Sequence, residues 1–187
     1  MGATRAASPR STSPHALTIN ELTTLGATGD LAKKKLFPAL YQLCLLGHLP
    51  RGLKIVGYGR KAVDLEAFVA KQCANIKEDP RLPKAAFTER IAFHAGGYDA
   101  ADSYIALDAT LQAFEADRGS NRLFFLSVPP TIFGSVTEMI SQHAVPMHMH
   151  IIASCCSPQH IVLQPSAHGL AALSTYGCSA RRLASRG

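Results

Sequence analysis

Strand-like and helix-like segments take turns along residues 17–143. The four strand candidates are residues 17–25, 54–59, 90–94 and 121–128. Helical periodicity, with apolar residues three to four positions apart, follows them in residues 30–46, 65–76, 104–114 and 131–140. The last strand candidate reads as fully apolar and buried, and Thr131 is a predicted cap of the helix after it. Such alternation is typical of a parallel sheet wrapped on both faces by helices, so the sequence predicts an α/β fold.

A short glycine turn, residues 26–29 (GATG), joins the first strand to the first helix. Glycines at this place let a pyrophosphate approach the backbone, and the helix N-terminus offers unpaired N–H groups. The spacing G-x-x-G is looser than G-x-G-x-x-G, so a plain tight turn is the alternative. Asp30 is the predicted N-cap and Gly47 the stop of the helix, and Pro38 should kink or break it.

The end of the second strand carries cations where many NAD-binding folds place a carboxylate for the ribose. The strand ends in Arg60 and Lys61, and no acid follows before Asp64. A guanidinium can grip a 2′-phosphate with its planar donors, which favours NADP over NAD. A solvated arginine is the alternative. The lysines at 33–35 are either a solvated face or include one that reaches toward the ligand cleft.

Residues 26–38 (GATGDLAKKKLFP) resemble the fingerprint of glucose-6-phosphate dehydrogenases. Further stretches agree in order and spacing over about residues 17–142: residues 55–60 (IVGYGR), 97–99 (GYD) and 121–130 (NRLFFLSVPP). The resemblance implies a Rossmann-like, doubly wound parallel sheet that binds NADP. It implies that the dinucleotide turn consists of Gly26, Ala27, Thr28, Gly29, Asp30 and Leu31. It further implies that Arg60 contacts the 2′-phosphate, that Lys35 lies near the reacting ends of cofactor and sugar phosphate, and that Pro129 and Pro130 shape the loop beside the nicotinamide.

The resemblance also implies a reaction, the oxidation of glucose 6-phosphate to 6-phosphogluconolactone with NADP in the oxidative pentose phosphate pathway. Family members carry the segments E-K-P-F-G and R-I-D-H-Y-L-G-K-E, which supply a substrate lysine, the histidine base and phosphate-binding residues. Neither segment occurs in this sequence, and the family's second α+β domain, which forms the interface of its homo-oligomers, is missing. We expect the chain to bind NADP with negligible turnover. The alternatives are a non-catalytic NADP-binding module and an unstable, nonfunctional truncated product.

Residues 144–187 differ from the rest of the chain in composition. All 13 acidic residues lie at or before Glu138. This shift predicts a domain at residues 17–143 and an atypical tail at 144–187, either disordered or translated from an intron or a shifted frame. A metal site formed by five of its histidines and cysteines, His148, His150, Cys155, Cys156 and His160, is the rival interpretation. Their spacing fits no standard zinc site, so no metal is expected.

Composition narrows the partners and the location. The net charge of +6 is mild and no basic stripe with interleaved aromatic residues is present, so nucleic acid is not an expected partner. No apolar run reaches the roughly 18 residues that a membrane helix needs. The five scattered cysteines indicate a reducing compartment, and we expect the cytoplasm. Residues 1–16 are predicted to be a disordered leader, with organelle targeting as the alternative.

Overall fold

A computed structural model describes residues 19–115 and 121–144, together with the segments 148–154, 160–166 and 169–175. The predicted leader, residues 1–16, lies outside the described residues. So do residues 155–159, with Cys155 and Cys156 of the alternative metal site.

One sheet of seven strands organises the described residues. The strands are β1 (Glu21–Leu25), β2 (Lys54–Gly59), β3 (Ile91–Ala95), β4 (Asn121–Leu126), β5 (His148–Ser154), β6 (His160–Ser166) and β7 (Gly169–Thr175). Their order is β3-β2-β1-β4-β5-β6-β7. The first five strands are parallel, whereas β6 and β7 pair antiparallel. The predicted α/β fold with a doubly wound parallel sheet is confirmed, and the described residues contain no second α+β domain.

The strand order reverses between β1 and β4. From β1 the chain moves outward through β2 to β3, and it then returns to place β4 on the other side of β1. At such a switch point the loops after the two central strands diverge, which leaves a crevice at their carboxyl ends. The topology therefore puts the glycine turn, which follows β1, at the place where this class of sheet binds ligands.

Helices cover both faces of the sheet. They are α1 (Phe37–Leu45), α2 (Leu65–Gln72), α3 (Lys84–Thr88), α4 (Ala101–Glu115) and α5 (Phe133–His143), with a π-helical turn at Ala32–Leu36 and a 3-10 turn at Pro130–Ile132. One buried cluster joins Leu25, Val56 and Phe124 of the sheet to residues of α4 and α5. A second cluster joins Leu22 and Ile55 to the side of α1, α2 and α3. The sequence patterns did not predict the short helix α3.

Pro38 distorts the first helix without breaking it. The π-helical turn Ala32–Leu36 directly precedes the proline, and the Phe37 N–H donates to the carbonyl of Ala32. This wider turn accommodates a ring that clashes with the preceding turn of a regular α-helix. The helix ends as predicted, since Gly47 has a φ of +72° and the His48 N–H donates to the Leu43 carbonyl at 2.9 Å.

Two predicted helix caps are wrong. Asp30 already belongs to the helix, and its carboxylate accepts a hydrogen bond from Lys34 Nζ at 2.9 Å, because the side chain lies on the exposed face of the first turn. Thr131 lies inside the 3-10 turn that leads into α5, and the residue preceding α5 is Ile132, whose side chain cannot cap. The 3-10 turn takes the place of a side-chain cap there.

The prediction of a fully apolar, buried strand at residues 121–128 is wrong, because β4 begins with two polar residues and alternates in burial along its length. Arg122 is 2% exposed, and its guanidinium makes ion pairs with Asp108 and Glu115, both on α4. Phe124 and Leu126 are buried on the same face of β4 as Arg122, whereas the three residues on the opposite face are only half-buried. Helix α4 thus covers one face of β4 and supplies the carboxylates that make burial of a cation possible.

Candidate functional site

A cleft of roughly 350 Å³ opens at the carboxyl ends of four strands. Gly26 follows β1, Arg60 follows β2, Tyr98 comes after β3, and Ser127 follows β4. The complete lining consists of Gly26, Thr28, Gly29, Arg60, Lys61, Val63, Tyr98, Ser127, Val128 and Pro129. The cleft therefore lies at the crevice that the strand order creates between β1 and β4.

The glycine turn is held tightly against the neighbouring strand ends. The N–H groups of Gly26 and Ala27 donate to the Tyr58 carbonyl at 3.0 and 3.1 Å, and the Gly29 N–H donates to the Gly26 carbonyl at 3.0 Å. Gly26 has a φ of +83°, and a Cβ placed on it would lie 2.2 Å from the backbone oxygen of Ser127. Only glycine fits this position, because both the dihedral angle and the close approach of β4 reject a side chain.

The residues directly before the helix, rather than its first helical residues Asp30 and Leu31, border the cleft. Thr28 and Gly29 are exposed and line it, and the Lys33 N–H is the donor that bonds back to the Gly29 carbonyl. The earlier amides of a helix have no intrahelical acceptor, and they carry the positive end of the helix dipole. This end of the helix can therefore receive a phosphate.

The β2 side of the cleft is cationic. Arg60 and Lys61 are exposed in the lining, and the Arg60 guanidinium lies 6.0 Å from the centre of the Tyr98 ring, within cation–π range. Partial burial raises the pKa of Tyr98, and the charge of Arg60 opposes that rise. At cellular pH the phenol is thus neutral, and it supplies a flat aromatic surface beside the guanidinium.

Acidic residues are absent from the described lining of the cleft. The first acid after β2, Asp64, instead caps α2, and its carboxylate accepts a hydrogen bond from the Ala67 N–H at 2.9 Å. A carboxylate occupied in this way is not available to a ribose. The electrostatics of the described cleft therefore favour an anion near Arg60.

The structure brings together half of the predicted site residues. Gly26, Thr28, Gly29, Arg60 and Pro129 line the cleft. The other predicted residues lie outside its lining, and they are Ala27, Asp30, Leu31, Lys35 and Pro130. Ala27 is buried beneath the turn, where a Cβ on Gly57 would come within 3.1 Å of it.

The remaining predicted residues occupy exposed positions. Asp30 and Leu31 form the first turn of the helix, where Lys34 lowers the pKa of Asp30 by donating a hydrogen bond to its carboxylate. Lys35 is exposed on the π-helical turn, and Pro130 begins the 3-10 turn after β4. None of these four residues contributes to the described walls of the cleft.

The residue predictions missed part of the lining. Tyr98, Ser127 and Val128 lie within the stretches 97–99 and 121–130, whose similarity to the family was the available signal. Lys61 was noted as a cation without being assigned a role. Val63 has no sequence signal of its own, because it is an isolated apolar residue in a loop.

The lining fits a dinucleotide that carries a further phosphate. A glycine turn with no Cβ at its closest point, a helix N-terminus, two cations and a neutral aromatic ring lie around one crevice. Each of these groups can bind an anion or stack on a flat base. The described lining contains no carboxylate that would repel a phosphate. Fold and site together define a nucleotide-binding α/β protein of the Rossmann class.

The chain belongs to the glucose-6-phosphate dehydrogenase family. Residues 23–164 match the family model described as "Glucose-6-phosphate dehydrogenase, NAD binding domain". This match confirms the family predicted from residues 26–38. It also confirms the predicted cofactor at the level of the family, whose members use NADP.

Relatives from yeast and plants show the same similarity. The chain is 39% identical over 127 residues to glucose-6-phosphate 1-dehydrogenase of Schizosaccharomyces pombe, with 65% of this chain and 25% of the relative covered. It is 40% identical over 133 residues to the chloroplastic enzyme of Nicotiana tabacum, with 68% and 22% covered. The chain thus spans about a quarter of the length of these relatives.

Solved structures agree on the fold. A glucose-6-phosphate dehydrogenase in complex with its substrate glucose-6-phosphate superposes with a TM-score of 0.66 at 31% identity, over 73% of this chain and 30% of that one. The glucose-6-phosphate 1-dehydrogenase of Mycobacterium avium superposes with a TM-score of 0.62 at 20% identity, over 74% and 30%. The second likeness supports the Rossmann-like fold alone.

The family match extends past the predicted domain boundary at residue 143. It reaches residue 164, and β5 (His148–Ser154) continues the parallel sheet beside β4. Among the described residues, no group of three or more metal-ligating side chains comes together. No helix of the described part of the chain is long and apolar enough to span a membrane.

Proposed function

We propose that this chain binds NADP in the cleft at the carboxyl edge of the sheet and serves as a coenzyme-binding domain of the glucose-6-phosphate dehydrogenase type. The observation that carries the proposal is the pairing of an exposed Arg60 with a described lining that holds no acid. A 2′-phosphate placed at Arg60 gains charge-assisted hydrogen bonds, whereas the plain ribose of NAD meets no carboxylate there.

The rest of the cofactor follows from the topology. The pyrophosphate would lie against residues 26–29, where the missing Cβ of Gly26 and the helix N-terminus both favour it. The nicotinamide end would extend toward the loop after β4, which contains Ser127, Val128 and Pro129. Bound NADP supplies the hydride acceptor of the family's reaction, and the chain's own residues bind and orient it.

Oxidation of glucose 6-phosphate to its lactone is the activity we propose for whole enzymes of this kind. Transfer of a hydride from carbon 1 of the sugar to NADP needs a base that takes the proton of the hydroxyl on that carbon. The sequence lacks the segment R-I-D-H-Y-L-G-K-E that supplies the family's histidine base, and Lys35 lies outside the cleft wall. The 187-residue chain alone is therefore expected to bind NADP with negligible turnover. NADP reduction at an ordinary enzyme rate by the purified chain with glucose 6-phosphate would contradict this.

Isothermal titration calorimetry of the purified chain tests the binding proposal. NADP should bind, and NAD should bind more weakly because it lacks the group that Arg60 recognises. A thermal melt in the presence of NADP should have a higher midpoint than the melt of the free chain. An absence of heat and of any thermal shift with NADP would overturn the proposal.

One observation favours a second candidate, a polypeptide that does not remain stably folded. An apolar groove of about 500 Å³ lies on the α1 side of the sheet, and its lining includes Leu36, Leu43, Leu123 and Phe125, which are exposed or half-buried. Wet apolar surface of this kind promotes association and aggregation. A broad melt without a cooperative midpoint, unchanged by NADP, would favour this candidate over the binding domain.

We also propose that residues 144–187 include sequence read from an intron or a shifted frame. The support is compositional, since acidic residues end at Glu138. Sequencing the transcript and the genomic DNA downstream of the Ile140 codon tests it. The expected result is that E-K-P-F-G is encoded downstream in another frame. A continuous message that encodes this tail would contradict the proposal.

A further inference from the structure

Ser127 has a buried hydroxyl without a hydrogen-bond partner among the described residues, and it lies in the lining of the cleft. Its backbone is fixed, because its N–H donates to the Leu25 carbonyl at 2.8 Å. Its carbonyl lies against Gly26, where a Cβ would come within 2.2 Å. Ser127 is therefore held beside the glycine turn by both of its backbone groups.

A buried hydroxyl that makes no hydrogen bond destabilises a fold, because it has lost water and gained nothing in return. Such a group is usually satisfied by a ligand or a water when it belongs to a binding site. The ligand group expected next to residues 26–29 is a pyrophosphate, whose oxygens accept hydrogen bonds. The unsatisfied donor and the expected acceptor thus share the same end of β1 and β4.

We propose that the Ser127 hydroxyl, which is closed to solvent in the free chain, rotates into the cleft when the dinucleotide binds and donates a hydrogen bond to a phosphate oxygen of its pyrophosphate. This inference rests on the proposed binding of NADP and assigns a task to a residue that sequence patterns did not select. Ser127 recognises the part that NADP and NAD share, whereas Arg60 recognises the 2′-phosphate that distinguishes them. Ser127 therefore contributes to the affinity for both dinucleotides, and Arg60 contributes to the preference for NADP.

The chain contains a matched control for this inference. Thr24 also has a buried, unsatisfied hydroxyl, but it lies inside β1 and outside the lining of the cleft. The substitutions Ser127→Ala and Thr24→Val each remove one such hydroxyl and leave the backbone unchanged. Without nucleotide, both variants should melt at or above the wild-type midpoint, since each loses a group that had no partner.

Calorimetric titration of the wild type and the two variants with NADP, NAD and adenosine 2′-monophosphate is the test. Ser127→Ala should weaken NADP and NAD by the same factor, about 10-fold, which is typical of a lost hydrogen bond to a charged group. Adenosine 2′-monophosphate lacks the pyrophosphate, so its affinity should not change. Thr24→Val should bind all three ligands as the wild type does.

Each other outcome has a distinct meaning. Unchanged NADP affinity in Ser127→Ala would overturn the inference and leave the binding proposal intact. An equal loss for adenosine 2′-monophosphate would also overturn it, because the effect would then be a general disturbance of the cleft. A wild-type chain that binds none of the ligands would overturn the binding proposal and the inference together.

Discussion

Arg122 and Arg60 are both arginines of the same sheet, and they lie at opposite ends of its strands in different environments. Arg122, near the amino end of β4, is buried and paired with Glu115 at 2.6 Å and with Asp108. Burial alone would lower the pKa of Arg122, but the hydrogen bonds from its guanidinium to the two carboxylates raise it. Arg60, at the carboxyl end of β2, is exposed beside Tyr98 in a lining without acids.

The difference separates a structural cation from a ligand-binding one. A buried charge must be neutralised inside the protein, and α4 supplies two carboxylates for Arg122. An exposed cation in a crevice keeps its donors available to an anion that arrives from solution. Removal of Arg122 should thus affect folding, and removal of Arg60 should affect recognition.

The largest expected effect is the loss of stability in Arg122→Met. The substitution leaves Asp108 and Glu115 without their partner, and breaking a buried pair costs about 3–5 kcal/mol. Chemical denaturation measures the change in the free energy of unfolding. The control is Arg81→Ala, because the Arg81 side chain is exposed and its ion-pair partner in the described part of the chain is Asp79 at the surface. A loss below about 1 kcal/mol in Arg122→Met would show that the pair is not structural.

Gly26→Ala should affect both folding and NADP binding, because Gly26 packs against the backbone of β4's end and also lines the cleft. Its φ of +83° and the Ser127 oxygen, which would lie only 2.2 Å from an added Cβ, both reject a side chain. We expect a destabilisation of about 2 kcal/mol or more and weaker NADP binding. Thermal melts and calorimetry measure the two effects.

Gly134 provides the matched glycine for that experiment. It lies in α5, and apart from its own helix no described residue comes within 4 Å of its ideal Cβ. Gly134→Ala should therefore stabilise the chain by up to about 1 kcal/mol and leave NADP affinity unchanged. If the two alanine variants behaved alike, the account of the glycine turn would be wrong.

Arg60→Ala should lower NADP affinity by about 10- to 100-fold, the range for a lost charge-assisted contact, and leave NAD affinity unchanged. The unfolding midpoint should stay at the wild-type value, because the side chain is exposed. The NADP affinity of Arg60→Lys should lie between those of the wild type and Arg60→Ala, since an ammonium keeps the charge but not the planar donor pair. Retained preference for NADP in Arg60→Ala would break the comparison with Arg122.

The smallest effect is expected from Lys61→Ala. Lys61 lines the cleft, but it is exposed, so its charge acts through solvent. We expect NADP affinity to fall roughly two- to threefold at low ionic strength, and less in added salt. Calorimetry at two salt concentrations measures this. A loss as large as that of Arg60→Ala would assign the 2′-phosphate to both cations.

The sequence predicted four of the seven strands, because each of these four is a continuous local pattern. The predicted strand 54–59 coincides with β2, and the predicted stop at Gly47 has the positive φ that ends a helix. The buried Arg122 could not be predicted in the same way. Its partners, Asp108 and Glu115, come from a different element, and only the packing of α4 on β4 brings them together.

The site was predictable to the extent that it consists of turns directly after strands. Gly26 and Arg60 each follow a strand, so the parallel sheet alone brings them to one edge. Tyr98 lies in a longer loop after β3, and its approach to Arg60 depends on how that loop folds back. Lys35 was predicted at the site but lies outside the cleft wall. It belongs to the π-helical turn, whose geometry differs from that of the regular helix that the sequence predicted.

The most direct test of the central claim is a nuclear magnetic resonance titration of the 187-residue chain, isotope-labelled, with NADP. The claim is that open polar groups at the carboxyl edge bind the dinucleotide while paired groups at the amino end hold the fold. Amide shifts should then change at residues 26–29, Arg60, Tyr98 and Ser127, and stay constant around Arg122. Shift changes centred on Arg122 and α4, or none at the glycine turn, would contradict it.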